Sequence, residues 1–236
     1  MTSPPSYRIF PISDSALTID FGNIINTTIN QHILSLFRLL SKEPLPGMIE
    51  ATPAYSSCTV YYDLFQLRKL VPANKTVQEW MAEQLVQKLN VPLQETNLSA
   101  GLIKIPVCYE KEFAPDIKEV TKGKNISPDE VIQIHISRTY YVYMIGFLPG
   151  FTYMGEVDEK IETPRKLHPR QKVEAGSVGI AGKQTGIYPL SSPGGWQIIG
   201  RTPLKMFDAT KKEPTLLKAG DTVQFYPISK NEFENF

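Results

Sequence analysis

Ten of the fifteen glycines fall between Gly146 and Gly200, and residues 171 to 200 hold only three charged side chains, Lys172, Glu174 and Lys183. The chain-wide share of charge would put about six there. Glycine at this density interrupts helices and long strands, so the segment folds as short β-type pieces joined by tight turns. It also lets backbone N–H groups approach a ligand closely, so the same stretch reads either as the turns of a small barrel or as a binding surface. The pattern after Tyr140, ending in Gly220-Asp221 and the alternating strand Thr222 to Tyr226, favours a closed or folded-over all-β domain.

The first ninety residues follow another rhythm. Residues 7 to 22 are strand material broken by Gly22. Ile29, Ile33, Leu36, Phe37 and Leu40 then recur at helical spacing, predicting a helix over 29–41 with Thr28 and Gln31 as a capping box. Residues 47 to 64 predict two strands around a turn at 53–57. A second helix is expected from Val77 to Asn90, capped by Thr76 and Glu79, with Pro92 ending it. Strand, helix, two strands, helix, strand predicts an α+β sandwich with both helices on one face of an antiparallel sheet. The boundary is expected between Asn90 and Gly101, giving domains 1–95 and 96–236. Beyond it Gly101 to Tyr109 reads as a strand, and Ser127-Pro128-Asp129-Glu130 as the start of a short helix.

Several function classes fall away on composition. In 236 residues, 25 Lys and Arg stand against 24 Asp and Glu, and the balance holds in both halves, 7 against 8 up to residue 95 and 18 against 16 after it. No basic surface for nucleic acid is expected. The longest apolar run, Tyr140 to Leu148, stops at Pro149, about half of a membrane span. The start Met-Thr-Ser-Pro-Pro lacks the character of a secretory signal, and Cys58 and Cys108 show no paired-ligand spacing. A cytoplasmic protein with reduced thiols and no membrane partner is the expectation.

The motifs for chemistry are mostly incomplete. Gly176 to Gly186 invites comparison with a phosphate-binding loop, but Ser177 and Gln184 stand where that motif needs glycine and Ser or Thr. His32, His135 and His168 share no metal-ligand spacing, so no metal is expected. His135, near the end of a short helix, is either a hydrogen-bonded packing residue or part of a site. No Gly-x-Ser-x-Gly elbow or Cys-His neighbourhood occurs, and Ser191-Ser192-Pro193-Gly194-Gly195 lacks the glycine that Ser-Ser-Lys amidases place before their serines. Arg165, Arg170 and Arg201 flank the low-charge segment and suit a carboxylate or phosphate, or else surface ion pairs. Trp196 and Tyr188 suit an apolar wall with polar tips, and Gln184 and Ser192 polar contacts to a ligand.

Taken together, Tyr143-Met144-Ile145-Gly146-Phe147-Leu148-Pro149-Gly150-Phe151, Pro164-Arg165, Pro169-Arg170, Ala175-Gly176-Ser177-Val178-Gly179-Ile180-Ala181-Gly182, Gln184-Thr185-Gly186-Ile187-Tyr188-Pro189 and Ser192-Pro193-Gly194-Gly195-Trp196 to Gly200-Arg201-Thr202-Pro203 closely resemble the family of 5-oxoprolinase B subunits, also called allophanate hydrolase subunit 1 or Kip sporulation-kinase inhibitor. Ser15-Ala16-Leu17, Phe21-Gly22, Pro46-Gly47, Pro53-Ala54-Tyr55 and Tyr62-Asp63 extend the resemblance over nearly the whole chain. Ser13 stands where the family usually has glycine, and Thr152 where it usually has proline. The resemblance implies a ferredoxin-like first domain and a cyclophilin-like β-barrel second domain. It implies one component of a complex, acting with a companion cyclophilin-like C subunit and a separate A subunit to open 5-oxoproline to glutamate, using ATP, with Mg as its companion ion. The alternatives it carries are an inhibitor of a sporulation histidine kinase and a component of allophanate hydrolase. The expected functional surface spans Gly176 to Arg201, with Arg170, Gln184, Tyr188, Ser192, Trp196 and Arg201 as side chains, and His135 as a further candidate.

Overall fold

A computed structural model describes residues 6–90 and 101–236. Contacts divide the chain into two compact units, Met1–Asn97 and Leu98–Phe236; the stretch 91–100, which holds the expected boundary and the helix-ending Pro92, lies outside the described residues.

In the first unit β1 (Arg8–Ser13), β2 (Ala16–Asp20), α1 (Thr27–Lys42), β3 (Met48–Pro53), β4 (Ser57–Tyr62), α2 (Leu64–Arg68) and α3 (Val77–Leu89) follow one another. The strands form an antiparallel sheet in the order β1-β2-β4-β3. At its centre Leu17 faces Val60 and Ile19 faces Cys58, and these residues share one buried core with Ile33, Leu36 and Leu40 of α1 and Met81 and Leu85 of α3. Alternation along the strands and helical spacing along α1 and α3 thus meet in one layer. The Thr76–Glu79 capping box forms, with Glu79 Oε2 accepting from the Thr76 N–H at 2.8 Å. The box expected at Thr28 does not. Asn26 is the N-cap of α1, accepting from the Ile29 N–H at 3.0 Å, because extended Asn is a better cap than Thr and stands nearer the preceding strand.

The second unit contains β5 (Leu102–Cys108), α4 (Ile117–Thr121), α5 (Pro128–Ile136), β6 (Thr139–Ile145), β7 (Thr152–Gly155), β8 (Arg170–Val173), β9 (Ser177–Ala181), β10 (Gln184–Ile187), β11 (Ser192–Gly194), β12 (Gln197–Arg201), β13 (Thr222–Ile228) and α6 (Lys230–Glu234). Seven strands close into a barrel in the order β10-β7-β6-β13-β5-β12-β9, while β8 and β11 pair as a separate ribbon. Only β13 and β5 run parallel among the pairs in that barrel. Strand alternation sends Val178, Ile180, Ile187, Ile199, Val142, Met154 and Phe225 into one core. The intervening positions send Ala181, Trp196 and Ile198 to a second cluster with Phe151, Tyr188 and Val173 of the ribbon. The barrel therefore has a filled interior and a separate apolar patch on its outer wall.

Candidate functional site

Aromatic rings dominate the outer-wall patch. Phe151 packs edge-on against Tyr188 at 5.0 Å, Trp196 at 5.4 Å and Tyr153 at 4.8 Å between ring centroids, and Tyr153 reaches Trp196 at 5.9 Å. Such T-shaped contacts exploit the ring quadrupoles and fix the mutual orientation of the cluster. Two glycines make room for it. A Cβ on Gly186 would stand 3.0 Å from the Trp196 ring and 2.4 Å from the Thr152 carbonyl, and one on Gly194 would stand 2.5 Å from the Tyr188 hydroxyl. Phe151, Tyr188 and Trp196 are buried, whereas Tyr153 is half-buried and Phe147 is 61% exposed. Phe147 has φ of 67°, a left-handed conformation unfavourable for a bulky residue, and its ring lies 5.5 Å from Phe151 and 6.5 Å from Tyr188. Burial raises the Tyr188 phenol, opposed by the Trp196 backbone N–H and by the charges of Arg165 and Arg170.

Beside this cluster lies a buried carboxylate that sequence reasoning misses. Asp116, its side chain 3% exposed, accepts from both guanidinium nitrogens of Arg170 at 2.6 and 2.5 Å, from Lys166 at 2.8 Å and from the Ile198 N–H at 2.8 Å. The Asp116 N–H in turn donates to the Ile198 carbonyl at 3.0 Å. One side chain thereby ties the segment before α4, the 163–169 loop, the ribbon and β12 together. Burial pushes the Asp116 carboxyl up, but Arg170, Lys166 and the Ile198 N–H outweigh it and hold the group below the ordinary range.

The remaining candidates separate by position. Arg170 stands opposite Gly194 across the ribbon, Tyr188 packs against the same glycine, and Ser192 and Trp196 flank it in sequence, so these four come together. The Ser192 hydroxyl donates to the Pro193 carbonyl at 3.2 Å. Arg201 pairs with Ser177 at one end of β9, and Gln184 with Ala181 at the other. Arg201 donates from Nε to the Ala175 carbonyl at 2.8 Å and its guanidinium lies 5.8 Å from the Phe233 ring.

His135 belongs to the barrel interior. Its ring stacks on Phe225 at 4.6 Å, Nδ1 lies 2.9 Å from the Tyr109 hydroxyl and Nε2 3.1 Å from the Thr185 hydroxyl. Thr185 spends its proton on the Gly179 carbonyl at 3.0 Å, so its oxygen accepts from Nε2–H and Nδ1 accepts from Tyr109. This assignment makes the imidazole a neutral Nε2–H tautomer. Burial lowers its pKa to about 3. On β10 Thr185 alternates with Gln184 and Gly186, so the barrel wall stands between His135 and the aromatic cluster.

Both thiols are buried and burial raises them, Cys58 to about 12. Among the described residues no group of three or more His, Cys, Asp or Glu is placed to hold a metal, and no helix is long and apolar enough to cross a membrane. Two open grooves of about 540 and 530 Å³, one beside Phe225 and Tyr226 and one beside Tyr7 and Val86, contain none of the candidate residues.

A two-unit chain with a barrel carrying an aromatic patch matches the model of the carboxyltransferase domain, subdomain C and D, over residues 7–217. The chain belongs to that family, within the group of the 5-oxoprolinase B subunits. The 5-oxoprolinase B subunit of Bacillus subtilis (strain 168) is 42% identical over 231 residues, covering 98% of this chain and 96% of that protein. The structure of TTHA0988 superposes with a TM-score of 0.76 at 33% identity over 91% of this chain, which spans only 40% of that one. Urea amidolyase of Saccharomyces cerevisiae is 24% identical over 94% of this chain, which spans 13% of its length.

Proposed function

We propose that this chain is the B subunit of an ATP-dependent 5-oxoprolinase, active with companion C and A subunits in hydrolysing the lactam of 5-oxoproline to glutamate. The observation that carries the reading is the 42% identity to a 5-oxoprolinase B subunit across nearly the full length of both chains. In this reading the first unit is ferredoxin-like, its sheet having the order expected when β1 fills the edge place of a fourth strand, and the second is cyclophilin-like. The ligand-facing surface in this reading is the outer side of the aromatic patch, where Arg170 and Ser192 are partly exposed beside the buried Tyr188 and Trp196.

The side chains support binding and orientation rather than bond cleavage. Ser192 has no base within its described hydrogen bonds, His135 is neutral and inside the barrel, and the thiols are buried. The nucleophile, ATP and its Mg therefore belong with the partner proteins. That the matching region spans 40% of TTHA0988 and 13% of a urea amidolyase supports a unit that works beside further protein. The test is ATP-dependent glutamate release from 5-oxoproline: the three-component mixture turns over and the single chain does not. Substantial turnover by the single chain overturns this reading, as does its dispensability from the mixture.

A further inference from the structure

We infer that Arg165 is the cation that receives the carboxylate of a small ring-bearing acid at the solvent-facing edge of the aromatic patch, in place of the arginines that flank the glycine-rich core more closely. The inference rests on reading that patch as the ligand site and assigns its charged contact.

The argument is an accounting of cations. Between Thr163 and Val173 the chain carries Arg165, Lys166, Arg170 and Lys172 and no acid. Lys166 and Arg170 are both committed to the buried Asp116, and Lys172 pairs with Glu174 at 2.7 Å. A bidentate guanidinium already satisfied by a buried carboxylate has little left to offer a ligand, and removing it would strand the carboxylate. Arg201 is directed to the Ala175 carbonyl and the Phe233 ring. Arg165 is exposed and carries no ion pair or hydrogen bond among the described residues.

Its placement is fixed all the same. The neighbouring Lys166 N–H donates to the Gly195 carbonyl at 2.7 Å, which pins the loop to the strand link just before Trp196. Arg165 Nε lies 3.7 Å from where a Gly195 Cβ would begin, which sets the guanidinium in contact with the strand link just before Trp196. Burial raises the phenols of Tyr153 and Tyr188, and Arg165 is near enough to both to oppose that rise. A guanidinium fork beside the half-buried Tyr153 ring suits a planar carboxylate attached to a compact ring: the fork takes the two oxygens and the Tyr153 ring covers the apolar carbons. The 5-oxoproline monoanion has this form.

The test titrates the full chain with 5-oxoproline and with its uncharged carboxamide, following the Arg165 Nε–H and Trp196 indole N–H resonances. In the wild type 5-oxoproline shifts both resonances and binds at least about tenfold more tightly than the carboxamide. Arg165→Ala loses that preference with an unchanged melting temperature, and Arg165→Lys recovers part of it. Arg170→Ala instead lowers the melting temperature. A wild-type chain whose two resonances do not move, or an Arg165→Ala chain that keeps the preference, overturns the inference. Absence of glutamate release from the wild-type three-component mixture strikes the proposed enzyme while leaving a positive titration, and so the role of Arg165, intact.

Discussion

His135, which the sequence leaves open between a packing residue and part of a site, has both ring nitrogens engaged inside the second unit. A histidine in a chain with only three of them draws attention as a base or ligand, yet its nitrogens are both used inside the barrel. The consequence is a pH dependence of stability. The folded pKa is lowered from 6.5 to about 3, so the unfolded chain binds a proton that the folded chain excludes. The stabilisation is complete above about pH 6.5 and is lost as pH falls towards 3, at a slope approaching about 1.4 kcal/mol per pH unit. Urea unfolding followed by Trp196 emission at pH 7 and pH 5 should show a loss of about 1–2 kcal/mol in the wild type. That loss should shrink in His135→Gln, which keeps a donor and an acceptor but does not titrate. An equal loss in both proteins would place the sensitivity on other groups, His32 foremost, since burial lowers its pKa from 6.5 as well and so also removes stability as pH falls below that value, whereas the lowered Asp116 acts only below about pH 4.

At the scale of elements, legibility follows the strength of the local signal. The hydrophobic stripes of α1 and α3, the Thr76 and Ser127 caps and the strand Thr222 to Tyr226 are readable because propensity and burial agree there. The short helices α2, α4 and α6, each of 5 residues, escape the sequence; one turn offers no periodicity to detect. The β8–β11 ribbon is equally silent, since its bulged register and its hold on Asp116, 54 residues before Arg170, are tertiary facts. Of the proposed site, Trp196 and Tyr188 are visible as aromatic residues among glycines. Arg165 is visible as a flanking cation. Its distinction from Arg170 depends on a carboxylate that no motif announces. The ribbon also makes a test of why glycine is dense here. Gly194→Ala would set a methyl group 2.5 Å from the Tyr188 hydroxyl, forcing the ribbon or the ring aside at a cost of about 1–3 kcal/mol. Gly101→Ala, which meets nothing within 4 Å, should leave the melting temperature unchanged. Similar melting of both variants would favour the view that the glycines serve a ligand and not the packing.

For the whole molecule the question is whether its two units are also two folding units. Each encloses a core of its own: sixteen buried residues from Leu17 to Leu85 in the first, and eighteen from Ile105 to Phe225 in the second. Among the described residues neither core draws on the other unit, and the second has the outer-wall cluster besides. About 90 residues is small for a domain, but an apolar layer between one sheet and two helices suffices at that size. Cutting between Asn90 and Gly101 should therefore yield fragments that each unfold cooperatively, the first with the signal of Trp80 and the second with that of Trp196. The closed barrel offers no free edge strand on separation, so the second fragment should also remain soluble. Calorimetry of the fragments and of the intact chain decides the matter. Two separate transitions near those of the whole chain confirm independent folding, whereas fragments without a cooperative transition would show that each unit depends on the other for its stability.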